Sequence, residues 1–265
     1  MAANRIKWLL PIFLVFASCE DKPIDNGGKK TTGKFTVEFK GLLNNASLPP
    51  LGVSEYRTKS VNEEITISNW SMIFSEFSLI TENDEKVLLG DGYQWLAFRN
   101  NRTVFDYEKL PPGKYKGIHF KIGLDSAVNH GNPNIWPADH PLNPNLTGLH
   151  WGWSGGYIFH AFDGMYREVG STGLPTSFSF HTATMPMVRE FDLVLPFALE
   201  ETSNKKAIIH VYAEKYFDGN TTIALKEGSV SHSEGTKEIQ LMQALLGNMY
   251  DVNGNNGVFE FIGVQ

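Results

Sequence analysis

The chain has 265 residues, 42% of them hydrophobic and 12% aromatic, and a formal charge of −6 at neutral pH. That is enough apolar material for one large β domain or two small ones. With no basic stripe the sequence offers nothing to neutralise phosphates, which sets nucleic acid aside as a partner. One cysteine in the whole chain leaves no pair for an internal disulfide and no set for a zinc–thiolate cage.

The N-terminus reads as an export signal. Arg5 and Lys7 precede an apolar run from Trp8 to Ala17 that only Pro11 interrupts, and Phe16-Ala17-Ser18 leads into Cys19. A basic start, a short apolar stretch and small residues before a cleavage point form a secretory signal. The run is about half of the ~20 residues that a spanning helix needs. Residues 1–18 are therefore expected to be removed and Cys19 to carry lipid, since stable anchoring takes more than one acyl chain. Residues 19–33 are polar and rich in Gly and Lys, the composition of a flexible tether. Residues 34–265 are expected to form one domain.

Phe35, Val37 and Phe39 alternate with polar residues, the period of a strand. Residues 63–80 are rich in Ile, Phe and Trp but alternate only in part, which suggests one or two strands. Asn83-Asp84 marks a turn, and residues 86–89 resume a strand. Leu110-Pro111-Pro112-Gly113 is a second turn. Ile118, Phe120, Ile122 and Leu124 then alternate cleanly. Residues 125–149 carry five Asn and four Pro and read as a long loop, a feature that in a compact domain is functional or disordered. Trp151–Phe162 has strand-like aromatic composition. Strands are expected again around Phe178 and Phe180, from Phe191 to Phe197, and from Lys206 to Phe217. Only Thr236–Met249 looks helical, with Ile239, Met242, Leu245 and Leu246 at helical spacing. Many short strands with Gly and Pro turns and one late helix predict an all-β fold, a single antiparallel β-sandwich of immunoglobulin-like type with long loops.

The residues offer three candidate chemistries. Gly152-Trp153-Ser154-Gly155-Gly156 fits a nucleophile elbow, but that motif needs a helix to follow, and Tyr157-Ile158-Phe159 favours a strand. Asp251-Val252-Asn253-Gly254-Asn255 resembles the start of a calcium loop, yet Ile262 stands where the closing carboxylate belongs. The histidines lack the spacing of a zinc-protease helix. His119 shares a strand face with Lys121, which points to a solvated ring. His181 faces away from Phe178 and Phe180, beside Ser177 and Ser179. Several imidazoles without thiolates suit copper or zinc, copper the more tightly.

The block Gly148-Leu149-His150-Trp151-Gly152-Trp153-Ser154-Gly155-Gly156-Tyr157, with Asp163-Gly164 soon after, resembles the signature of the MbnP-like family. Leu110–Tyr115 with residues 120–125, Phe178–His181, and Ser231-His232-Ser233 resemble other segments of that family in the same order. His150 stands where the family usually has Tyr, and Thr182-Ala183-Thr184 replaces a common Gly pair. Glu20-Asp21 after Cys19 resembles the surface-export signal of Bacteroidota lipoproteins.

The resemblance implies an exported β-sandwich associated with copper, acting beside a di-haem cytochrome c peroxidase-like partner. It makes His181 and His232 candidate metal ligands, with His119 and His150 added on chemistry alone. Trp151 and Trp153 match the two signature tryptophans; either is a candidate for oxidation to kynurenine, as in copper-binding relatives, or for core packing. The expected protein is an outer-membrane lipoprotein of the bacterial envelope, periplasmic or surface-exposed, that binds copper without substrate turnover. The alternative is a surface module that engages glycan or an envelope protein with the aromatic loop 130–160. The two separate on geometry: copper needs His181 and His232 to converge, glycan needs exposed Trp rings in a row.

Overall fold

The computed structural model describes residues 33–48, 57–59, 62–152, 155–232, 236–250 and 257–265. The expected signal, Cys19, the tether, Trp153, Ser154 and residues 251–255 lie outside the described residues.

In chain order the strands are β1 (Lys34–Leu43), β2 (Ala46–Ser47), β3 (Arg57–Lys59), β4 (Glu63–Thr81), β5 (Lys86–Leu88), β6 (Gln94–Ala97), β7 (Val104–Glu108) and β8 (Gly113–Ile122). After the short helices α1 (Ser126–Asn129) and α2 (Pro144–Thr147) come β9 (His160–Glu168), β10 (Thr176–Thr182), β11 (Arg189–Leu199), β12 (Lys205–Tyr212) and β13 (Val230–Ser231). The chain closes with α3 (Thr236–Gly247) and β14 (Phe259–Val264).

Among the described residues these strands make two sheets. One runs β14-β12-β1-β2 with β7 also on β1; the other runs β11-β8-β4-β9-β10-β13, with β3, β5 and β6 along β4. Both sheets feed one core, in which Phe39 of the first meets Phe74, Phe77 and Phe120 of the second and Phe35 stacks on Phe197. Such rings bury large area and also pair edge to face. The fold is thus the expected all-β sandwich, with mixed pairing: β1–β12 and β10–β13 run parallel, the rest antiparallel. Parallel neighbours need a long connection rather than a hairpin, and here nearly fifty residues separate β10 from β13.

The partial alternation in residues 63–80 has a physical origin. The stretch is one strand with two bulges facing its partners, between Ile67 and Asn69 and between Ser75 and Ser78. Each extra residue moves the core-facing set by one place. Ile65 and Ile67 face the core, then Trp70, Met72 and Phe74, then Phe77 and Leu79. Without the first bulge Asn69 would share the parity of Ile65 and point inward. With it, Asn69 stands outward, opposite Asp163.

The Asn- and Pro-rich stretch is ordered by caps. Asp125 accepts from the Ala127 and Val128 amides at the start of α1, Asn132 caps a single 3-10 turn at Pro133, and Asn143 caps α2 ahead of Pro144. An Asx side chain accepts the orphan amides while Pro in the first turn gives up none that is needed. His140 stacks on Trp136, its Nε2 contacts Asp91 at 2.7 Å, and Tyr157 donates its hydroxyl to the Leu142 carbonyl.

Two expected strands are shorter than their composition suggests. The segment Trp151–Phe162 becomes a strand only at His160, because the chain first doubles back and the Trp151 amide bonds the Gly156 carbonyl. The strand expected over Lys206–Phe217 ends at Tyr212. A 3-10 turn over Glu214–Tyr216 then folds Tyr216 and Phe217 into the core.

Candidate metal site

The site lies on the outer face of the larger sheet, where β9, β10 and β13 run side by side. Alternation sorts their residues. On β10, Phe178, Phe180 and Thr182 are buried, and Ser177, Ser179 and His181 face out. On β9, His160, Ala161 and Phe162 are buried, and Asp163 is half-buried on the outer face. Register sets Ser179 beside both Asp163 and Val230. His232 follows β13 directly and is exposed.

His181 and His232, fifty-one places apart in sequence, stack with ring centroids 4.8 Å apart and planes 14° from parallel. Their Nε2 atoms lie 3.4 and 3.3 Å from one oxygen, Ser179 Oγ. Asp163 holds the group together: Ser179 donates to it at 2.7 Å, Asn69 at 2.9 Å, and His181 Nε2 sits 2.9 Å from its Oδ1. These contacts assign the protons. Ser179 spends its hydroxyl on Asp163, so His232 Nε2–H donates to Ser179 and His181 Nε2–H to Asp163. Burial alone would raise the Asp163 pKa; the bonds from His181, Ser179 and Asn69 outweigh it and hold the carboxyl below its ordinary value.

Trp151, 38% exposed, closes the third side with its ring 6.3 Å from His181 and 6.1 Å from His232. The turn that puts it there depends on two glycines. A Cβ at Gly155 would lie 2.7 Å from Trp151 Cβ, and Gly156 has φ +68° with the Asn129 amide 2.6 Å from where a Cβ would stand. Gly164, beside Asp163, has a different reason. A Cβ there would come 2.1 Å from the Thr66 carbonyl oxygen and 2.6 Å from the Phe178 ring. Gly164→Ala is therefore expected to destabilise the fold by more than about 2 kcal/mol through overpacking, read as a lower urea midpoint at unchanged slope.

Directly behind the site, on the core face of the same strands, lies His160. It is fully buried, stacks 5.1 Å from Tyr216, and among the described residues neither ring nitrogen has a hydrogen-bond partner. Burial, with a smaller push from His181, moves its pKa down to about 3, so the ring stays neutral.

The structure separates the other candidates from this group. His119 is on β8, which β4 and β9 divide from β10. It is also not solvated: its side chain is fully covered, with Nδ1 2.6 Å from Asp192 and Nε2 2.8 Å from the Lys86 ammonium. The long side chains of Lys86 and its acidic neighbours close over the ring. Both nitrogens are spent, so His119 does not join the site. His150 turns to Tyr157, ring centroids 4.6 Å apart, and its Nδ1 accepts from the Gly152 amide. Burial lowers its pKa. Among the described residues no three or more His, Cys, Asp or Glu side chains form a ready metal cage. The donors present are two imidazoles, with Asp163 bonded to one of them. Imidazole nitrogen suits copper and zinc; with its Nε2–H on Asp163, His181 would be oriented as carboxylates orient metal-binding histidines, its ligating lone pair on Nδ1.

The sequence reading did not mark Ser179, Asn69 or His160. Ser179 could have been found from its place two residues before His181 on the same face. Asn69 could not, because the bulge sets its direction.

Taken together, the fold and site define a two-sheet β-sandwich that presents a histidine pair on an open sheet face. A family model, MbnP, matches residues 32–234, and the chain belongs to the MbnP family. Among solved structures it is similar to MbnP from Methylosinus trichosporium, with a TM-score of 0.53 and 13% identity over 88% of this chain and 98% of that one. At that identity the likeness speaks for the fold. No curated protein matches the chain significantly.

Proposed function

We propose that this protein binds one copper ion between His181 and His232, as an exported lipoprotein that handles copper without turning over a substrate. The observation that carries the reading is the convergence of two imidazoles from separate strands on one oxygen, beside a carboxylate. Membership of the MbnP family and the copper association that the sequence resemblance implied both support it. On this reading each neutral imidazole supplies one nitrogen donor through its Nδ1 lone pair, while the Nε2–H groups stay on Asp163 and Ser179.

Among the described residues, the signature tryptophan Trp151 stands beside both rings. We assign to it the oxidised role seen in copper-binding relatives, with a di-haem cytochrome c peroxidase-like partner as the oxidant. Anchoring through Cys19 at the envelope follows from the residues before it and completes the proposal. The glycan reading is less well supported. Among the described residues Trp70 and Trp95 are buried and Trp136 is stacked on His140, which leaves Trp151 alone rather than in a row.

The test is elemental mass spectrometry of the purified protein after copper loading and exhaustive dialysis. About one retained copper is expected. A protein that keeps neither copper nor zinc would overturn the reading.

A further inference from the structure

Beside the histidine pair a pocket of about 340 Å³ opens over the same sheet face. That size falls in the range that takes small ligands. Its floor is low because Ala161, a small residue, stands between Ser71 and His181 in register. Asp163 and His181 form one wall, and Asn69, Asn100, Trp95 and Arg99 line the rest. Arg99 is exposed and draws no ion pair among the described residues. The pocket thus carries one cation, Arg99, and a proposed metal ligand, His181, in its lining.

We propose that this pocket is a subsite for a small α-hydroxycarboxylate that shares the copper with the two histidines. One carboxylate of the ligand pairs with Arg99, whose planar fork suits such a group, with Asn100 as a neighbouring donor. Its hydroxycarboxylate end faces His181 and adds oxygen donors to a metal that has only two imidazoles from the chain. Asp163 closes that end against an unmetallated anion, so the ligand enters with the metal. His181 opens on this side, and the pair takes copper already chelated, by ligand exchange and without any redox step. The subsite rests on the copper reading for its metal end but not for its Arg99 end.

Citrate is the probe. Isothermal titration of citrate into copper-loaded protein, with copper content measured afterwards, should show saturable binding at retained copper. Arg99→Ala should weaken it about tenfold and Arg99→Lys should recover part of it, both with copper content unchanged. The electron paramagnetic resonance signal of the copper(II) form should shift on citrate addition in the wild type. Retained copper with no citrate binding, or with binding equal in Arg99→Ala, overturns the subsite and leaves the copper reading intact. Citrate that only strips the metal overturns it as well. A wild-type protein that retains no copper in any buffer overturns the copper reading instead.

Discussion

His181→Ala and His232→Ala should each lower copper affinity by about 100-fold or more, and Asp163→Asn by about 10- to 100-fold, the effect typical of losing a group that orients a ligand. The ranking follows from the geometry. Removing either imidazole leaves one nitrogen donor. Asp163→Asn keeps both imidazoles but replaces the carboxylate that fixes the His181 ring at 2.9 Å and accepts from Ser179 and Asn69. Competition with a chromophoric copper chelator measures all three. His119→Ala belongs in the same series and should leave affinity unchanged, since its nitrogens are committed to Asp192 and Lys86. Equal affinities for wild type and His181→Ala would sink the two-histidine assignment. A loss in His119→Ala as large as in His181→Ala would place the site on the wrong strands.

Acid should unfold this protein in part through one residue, His160. Its ordinary pKa of 6.5 falls to about 3 in the folded state, while the unfolded chain keeps the ordinary value. Above pH 6.5 both states are neutral and the residue contributes no pH dependence. Between pH 6.5 and about 3 the unfolded state takes up a proton that the folded state refuses, so stability falls as pH falls. At pH 4.5, two pH units below the ordinary value, the loss is roughly 2 to 3 kcal/mol. His160→Phe should abolish that component. At neutral pH the variant should be about 1 kcal/mol more stable, because two buried nitrogens without partners are replaced by a ring that can stack on Tyr216 and Phe162. Urea unfolding at pH 7 and pH 4.5 reads both effects. Paired carboxylates such as Asp163 also weaken in acid, but they do so in both proteins and cancel in the difference. A wild type and variant that lose the same stability between the two pH values would refute the assignment. The neutral core histidine also holds no charge behind the proposed copper site, where a fixed cation would oppose a bound metal ion.

Much of this protein was legible in its sequence, and the reasons are local. Strand β1 is written in the alternation of Phe35, Val37 and Phe39, and β10 in Phe178 and Phe180, because a pleated strand repeats every two residues. Helix α3 is written in the spacing of Met242, Leu245 and Leu246, all fully buried. Signature pairs such as Asp163-Gly164 announce a site because each residue has its own necessity, a carboxylate for hydrogen bonds and a missing Cβ for close packing.

What only the tertiary structure decided depends on strand phase and strand order. The aromatic run after Trp151 reads as strand by composition, but its glycines fold it into a turn that hands Trp151 to the site. His119 reads as solvated from its own strand, yet side chains from β5 and β11 cover it. Asn69 reads as inward until a bulge reverses its direction. His181 and His232 could be named as candidates from sequence. Their meeting depends on β13 returning after nearly fifty residues to lie parallel beside β10, and on the side chains of neighbouring strands in one register sharing a face. Alternation along a strand is a property of consecutive residues and can be read from them. Adjacency between strands comes from the core that both bury, and the sequence carries no local mark of it.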